Sequence, residues 1–498
     1  MNSVSPLETG IDPSLFVGFA FYLVVLLVCG ITASTLMKRL DDFLLAGRRL
    51  GPLSAAISER ASGESAWFLL GLPGAAYALG FTQFWSVIGI GFGIFASWTL
   101  LAVPLRKKTA ELGALTLPDY FEMRFSDSAP ALRNSLRVLS MIIIIFFYTG
   151  YVAAQFVGGG KILNATFGID PVWGVIIGAT VVMLYTMLGG FLAVVWTDVV
   201  QGIMMACVAV ILPVVGIIKL GGPGGLLEAL APAGGDFLSM NAGRTGSAFV
   251  FGVMLGSLSW GFGYLGQPHL LSRYMAIKNP VEVQKGTLIA MIWVLIAYWG
   301  APMVGIVAAG TFGSGIGDPE TVMPLLARQL MPGWIAGLMI AGAVAAMMST
   351  ADSQLIVVTS SLVEDVYVKL LRPKASPTRL VLLSRLATIL ASTVALILAF
   401  SSKDLIFDMV AYAWSGLGSS FGPPLILSLR WKRTTGYGVL AGMLAGTVSN
   451  IVWKNVSVLD EGLDLKLATF VISFVFTVVV SVLTGSNPTR QDSGNRNS

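Results

Sequence analysis

Residues 58–67 read Ser-Glu-Arg-Ala-Ser-Gly-Glu-Ser-Ala-Trp inside a long apolar stretch, which puts Glu59, Arg60 and Glu64 at a depth where charge is costly. Gly63 and the nearby Pro73 predict an interrupted helix, whose freed carbonyls and amides can be aimed at an ion or a small solute. A second segment, AAMMSTADSQ at 345–354, gathers the Ala346 carbonyl, the hydroxyls of Ser349, Thr350 and Ser353, and the Asp352 carboxylate within one or two helical turns. A hard cation takes oxygen ligands of this kind. Helix packing competes for Ser349 and Thr350, because such hydroxyls also bond the carbonyl four residues back or let helices approach closely. Asp352 favours the ion, since a mid-span carboxylate has to be protonated, paired or bound to a cation.

Asp198, in WTDVVQG, is a further acid inside an apolar run. The competing reading is an interfacial acid near a helix end, about two turns from the start of its span. Glu364 and Asp365 come at the inner end of their span and are expected to be solvated. Trp260 and Tyr264, four apart, share a helical face and with Tyr151 and Pro268 predict an apolar pocket beside a Gly-rich break at Gly261–Gly263. Ordinary core packing is the alternative for this aromatic stripe. His269 is the single histidine, so a transition-metal cluster is not expected and a structural role is. No nucleophile-and-base pair or metal set suggests an enzyme.

Positioning such residues takes membrane helices. Hydrophobic residues make up 55% and charged residues 11% of the chain, whose mean hydropathy is +0.81; soluble proteins carry about 25% charged residues. The expectation is an all-α polytopic membrane protein. Apolar stretches long enough to cross a bilayer lie near 15–37, 52–79, 83–105, 138–160, 171–190, 191–218, 246–271, 284–310, 333–367, 379–401, 405–429, 434–453 and 465–484, about thirteen helices. The first is too long for a cleaved signal peptide and is read as a span. Although the net charge is +5, the basic residues fall in short clusters between spans rather than in a nucleic-acid-binding stripe. They are biased roughly threefold toward one set of loops, which predicts the amino terminus outside and the carboxyl terminus in the cytoplasm. Cys29 and Cys207 lie in apolar runs and suggest neither disulfide nor metal.

The second and seventh spans are both interrupted by Gly and Pro and stand five apart. That predicts two inverted repeats, 52–218 and 219–429, with the binding site between them. Residues 1–51 would hold the outer terminus, first span and a cytoplasmic loop, 430–485 the last two spans, and 486–498 a disordered tail.

FLLAGRRLGP at 43–52, GLPGA at 71–75, GGFLAVVWTD at 189–198, WGFGYLGQPH at 260–269, and MSTADSQL with SSLVEDVY across 348–367 together resemble the sodium:solute symporter family. The resemblance runs from the first span to the last. It implies the LeuT-type five-plus-five inverted repeat with one leading and two trailing helices, and a sodium ion held by the carbonyls of Ala61, Glu64 and Ala346 and the hydroxyls of Ser349 and Thr350. It further implies a second cation site at Asp198, Ser349, Asp352 and Ser353, and substrate contacts at Tyr151, Trp260, Tyr264 and Pro268, with Ser65 and Trp67 close by. Proline carriers of the family read Ala-Ser-Asp-Met-Ser-Gly-Trp where this chain has residues 61–67, so the acid has moved by one residue. Such a step turns a helical side chain by about 100°, which leaves open whether Glu64 acts through its carboxylate or only its carbonyl.

The expected function is sodium-coupled import of a small solute, proline first, through the inner (plasma) membrane of a bacterium by alternating access. Sodium is the coupling ion, no other cofactor is implied, and the lipid bilayer is the remaining partner. Proton coupling, or another amino or organic acid as cargo, is the alternative within transport. A membrane sensor of the same fold is the alternative outside it, disfavoured because no soluble domain follows Leu483.

Overall fold

The computed structural model describes residues 12–34, 45–371, 376–402, 404–456, 458–459 and 463–485. The expected disordered tail at 486–498 and the first two residues of the FLLAGRRLGP motif lie outside them. The main helices are α1 (Ser14–Ser34), α2 (Pro52–Ala66), α3 (Leu72–Leu79), α4 (Phe84–Ala96), α5 (Val103–Leu112), α6 (Leu117–Arg124), α7 (Pro130–Phe167), α8 (Pro171–Lys219) and α9 (Gly222–Leu230). They continue with α10 (Pro268–Ala276), α11 (Pro280–Phe312), α12 (Val322–Leu330), α13 (Gly333–Ser360), α14 (Pro377–Ser401), α15 (Ile406–Arg430), α16 (Gly436–Asn455) and α17 (Leu465–Thr484). Helix occupies most of each stretch expected to span among the described residues, residues 35–37 of the first lying outside them. Among the described residues eight helices are long and apolar enough to cross a membrane, one of them the continuous run Pro52–Leu112, which holds both the second and third expected spans.

α13 is the central helix of the molecule. Its residues from Ile340 through Leu355 are buried, against α1, α2, α7 and α8. By contrast α14 turns most of its apolar surface outward, with Leu386, Leu390 and Ile397 exposed, as a helix facing lipid does.

The chain breaks where the site will be, though not at the residues that the sequence suggested. The interruption of the second span falls at Ser65, with φ 57 and ψ −177, followed by a wide π-turn at Trp67–Gly71; Gly63 is helical, and Pro73 sits in the first turn of α3, where its missing N–H costs nothing. An L-residue in that backbone region carries about 1–3 kcal/mol of strain. It is held by its surroundings: the Ala66 N–H donates to Gln155 Oε1 on α7 at 2.8 Å, and the Trp67 N–H to Ser65 Oγ at 3.1 Å. In the seventh span Trp260–Gly263 is helical and the break comes after it, at 264–267. Gln267 is extended because Pro268 follows it, and Pro268 then starts α10. Gly266 passes so close to α15 that a Cβ would lie 2.9 Å from the Leu417 and Gly418 carbonyls. α8 is divided at Gly190, φ 58, into the fifth and sixth expected spans.

Candidate functional site

The break at Ser65 and the middle of α13 face each other. The Ser349 hydroxyl donates to the Ala61 carbonyl at 2.9 Å, with the Ala346 carbonyl 3.1 Å away, and the Thr350 hydroxyl donates to the Ser62 carbonyl at 2.8 Å. All five residues are fully buried. Four of the five expected sodium ligands are therefore contiguous: Ala61, Ala346, Ser349 and Thr350. They form a set of hard oxygens contributed by two helices, suited to a small cation.

Glu64 is placed differently. Its carbonyl accepts the Trp67 N–H, and its carboxylate turns to Arg60 Nη1 at 3.1 Å and to the Tyr298 hydroxyl. Arg60 is also gripped by both carboxylate oxygens of Glu59, which take further bonds from Trp98 Nε1 at 3.0 Å and Tyr274 OH at 3.2 Å. The guanidinium lies over the Tyr264 ring at 5.1 Å, and the Tyr264 and Tyr298 hydroxyls are 2.6 Å apart. Arg60, Glu64, Tyr298 and Tyr264 thus close a ring of contacts across three helical segments. Burying such a set is tolerable only because each charge has partners.

One turn away from Ala61 stands a second polar cluster. Asp198 Oδ2 receives the Ser58 hydroxyl at 2.6 Å, the Ser62 hydroxyl at 3.0 Å and Arg273 Nη2 at 3.1 Å, and Arg273 Nη2 also reaches Ser353 Oγ at 2.6 Å. Asp352 Oδ1 has only the Ser353 hydroxyl at 3.4 Å, while Asp198 Oδ1 and Asp352 Oδ2 are buried with no hydrogen-bond partner. The one guanidinium of the cluster bonds Asp198 and not Asp352. Asp198 is fully buried, which removes the interfacial alternative. His269 bridges the Tyr148 hydroxyl at 2.7 Å and the Ser62 carbonyl at 3.1 Å, a structural post for the broken helix.

Of the expected substrate contacts, Trp67 and Trp260 pack with ring centroids 4.5 Å apart, and Phe407 lies 5.3 Å from Trp260 and 5.9 Å from Trp67. Trp414 joins the rest: it packs edge-on to Tyr264 at 4.6 Å and to Tyr151 at 6.4 Å, and its Nε1–H donates to the Trp260 carbonyl at 3.0 Å. Ser65, at the break itself, is fully buried next to this group. Pro268 is set apart, lining a narrow cavity of about 40 Å³ together with Arg273 and Ser353 of the second cluster. Phe407, Trp414, Gln155 and Tyr298 were not anticipated. Gln155, an amide in mid-span, carried the one readable signal, because polar side chains inside membranes are rare and placed for a purpose.

Glu364 and Asp365 are not solvated as expected. Asp365 is fully buried and bonded to Arg137 Nη1 at 2.5 Å and to the Thr116 hydroxyl at 3.1 Å, and Arg137 also holds Asp119 at 2.6 Å. Arg137 of α7 and the Thr116 hydroxyl at the start of α6 supply the partners that a solvent-exposed acid would not need.

Two broken helices facing an oxygen-rich helix across an aromatic pocket define an ion-coupled secondary transporter. The sodium:solute symporter family model matches residues 43–446. The high-affinity proline transporter PutP of Bacillus subtilis (strain 168) is 39% identical over 463 residues, covering 92% of this chain and 96% of that one. The sodium/proline symporter of Escherichia coli (strain K12) is 36% identical, covering 95% and 94%. Among solved structures, a sodium-coupled sialic acid symporter in a substrate-bound outward-open state superposes with a TM-score of 0.77 at 21% identity over 96% of this chain and 99% of that one, and MhsT in complex with L-phenylalanine with 0.52 at 15% over 86% and 98%. The chain belongs to the sodium:solute symporter family, with the LeuT-type fold.

Proposed function

We propose that the protein couples the inward movement of sodium to the uptake of proline. The observation that carries the reading is the meeting of Ser349 with the carbonyls of Ala61 and Ala346 directly beside the Trp67–Trp260–Tyr264 pocket. Ala61, Ala346, Ser349 and Thr350 are the ligands of the coupling ion, whereas the Glu64 carbonyl is taken by the Trp67 N–H and its carboxylate by Arg60 and Tyr298. When sodium enters, the two hydroxyls swing their O–H groups off the α2 carbonyls and offer their oxygen lone pairs to the ion, which ties α2 to α13. Trp67 lies five residues beyond Ser62, so fixing this end of the broken helix also fixes one wall of the pocket. Trp260, Tyr264, Trp414 and Tyr151 supply the apolar and ring surface for a small cyclic amino acid, and Ser65 the adjoining polar group. Both relatives named above carry proline by their names.

Asp198, Asp352 and Ser353 form a second cation site, which the unpartnered oxygens of the two acids support. The amino terminus lies outside and the carboxyl terminus in the cytoplasm, as the distribution of Lys and Arg supports. In that orientation the inner membrane drives sodium inward with about 2.3 kcal/mol per charge per 100 mV. The repeats 52–218 and 219–429 move against each other around the site.

Counterflow in proteoliposomes with labelled amino and organic acids tests the cargo. Proline is expected to exchange fastest, and proline failing to exchange while another solute does would reassign the substrate.

A further inference from the structure

A cleft of about 300 Å³ opens where α5, α6 and α15 end, far in sequence from the ion and substrate residues, lined by Lys107, Lys108 and Glu111 of α5, Arg124 of α6, and Ser428 and Leu429 of α15. Lys108 is paired with Glu111 at 2.9 Å. Arg124 spends its Nε on the Ser428 carbonyl at 3.3 Å, and the Ser428 hydroxyl is taken by Tyr120 at 3.0 Å. Lys107 is exposed and has no ion pair among the described residues. Lys107, Lys108 and Arg124 therefore outnumber the one acid of the lining, Glu111, and the cleft holds a cationic excess.

Above the cleft the same continuous helix turns an apolar stripe to the outside: Phe92 is 70% exposed, Phe95 50% and Leu100 43%. Leu100 and Lys107 are seven residues apart and so share a face, about 10 Å from each other along the axis. The wide turn at Ser97–Ala102, which contains Leu100, frees carbonyls, and Arg430 of α15 donates to those of Thr99 at 3.3 Å and Leu100 at 2.8 Å. Arg430 thereby places one more cation at the edge of the stripe. Apolar surface running into a basic recess at the end of a membrane helix matches one molecule in both its parts.

We propose that this cleft is a binding site for an anionic glycerophospholipid, with the phosphate between Lys107 and Arg124 and the acyl chains along Phe92, Phe95 and Leu100. Basic recesses between helices at the cytoplasmic boundary hold anionic headgroups in this manner. A soluble phosphate would use the cations but not the stripe, which is why the lipid is the occupant.

The test is native mass spectrometry of delipidated protein offered equal amounts of palmitoyl-oleoyl phosphatidylglycerol and the corresponding phosphatidylcholine. The wild type retains phosphatidylglycerol preferentially. Lys107→Gln with Arg124→Gln lowers that preference by roughly tenfold or more, and Lys107→Gln alone, at an exposed side chain whose loss leaves the fold intact, lowers it in part. Lys278→Gln with Lys285→Gln, outside the cleft, leaves it unchanged. Equal loss in this control pair would overturn the proposal by showing mere surface charge. Displacement of the lipid by equimolar glycerol 3-phosphate would overturn it in favour of a soluble anion, and no preference in the wild type would overturn it outright.

Discussion

The Ser349 hydroxyl lies 2.9 Å from the Ala61 carbonyl, although 288 positions separate the two residues. That contact joins the break in the second span to the central helix, and it puts the proposed ligands of the coupling ion on two elements, α2 and α13, that the proposed alternating-access cycle moves relative to each other. Ion occupancy can then decide which arrangement is favoured, because only a ligand with different affinity for two states shifts their populations.

Removing either hydroxyl is predicted to weaken sodium more than substrate. Ser349→Ala and Thr350→Ala should each raise the sodium concentration for half-maximal uptake by about tenfold, the worth of one bond to a charged group. Thr350→Ser should stay close to wild type. Sodium titrations of proline uptake at saturating proline decide this, and unchanged half-activation in both Ala variants would return the pair to helix packing.

The aromatic pocket predicts the converse pattern. Trp260→Ala and Tyr264→Ala should raise the proline concentration for half-maximal uptake while sodium activation changes little. Tyr264→Phe should keep most of the affinity, because the Tyr264 hydroxyl is engaged by Tyr298 at 2.6 Å and the ring is what packs on Trp414. Loss of affinity in the Phe variant as large as in the Ala variant would show that the hydroxyl, not the ring, meets the substrate.

The acid displaced by one residue relative to proline carriers is predicted to serve Arg60 rather than sodium. Glu64→Gln still accepts from Arg60 through its amide oxygen, and its NH2 can donate to the Tyr298 oxygen while the Tyr298 proton turns to Tyr264, so sodium half-activation should stay within about twofold of wild type. Arg60→Met strands Glu59 and Glu64 as buried like charges and should cost about 3–5 kcal/mol of stability, read as a fall in the detergent melting temperature. A strong loss of sodium affinity in Glu64→Gln would restore the carboxylate to the ion site.

Ser65 carries a backbone conformation that glycine adopts freely and β-branched residues resist. Ser65→Gly should therefore retain sodium activation, whereas Ser65→Val should lose transport while still reaching the membrane. Uptake and surface labelling of the two variants give the comparison, and a fully active Val variant would mean that the break is not needed.

Much of this was legible because membrane helices are written as long apolar runs, and the oxygen-rich turn at Ser349–Thr350 stands out within one. The breaks were legible as regions but not as residues. Gly63 looks like the flexible point, yet the chain bends at Ser65 because Gln155 and His269, distant in sequence, receive the groups that the bend releases. Asp365 looked solvated for a similar reason, since its partner Arg137 comes from another helix. Trp414 and Phe407 gave no local signal at all. Aromatic residues in a membrane protein are common, and only the tertiary packing selects those that close the pocket.

The most direct test is accumulation of labelled proline by proteoliposomes under an imposed inward sodium gradient, compared with an equal choline gradient and with an inward proton gradient lacking sodium. Accumulation above the external concentration is predicted with sodium alone, collapsing in Ser349→Ala with Thr350→Ala. Equal accumulation driven by protons without sodium, undiminished in that double variant, would contradict sodium coupling through this site.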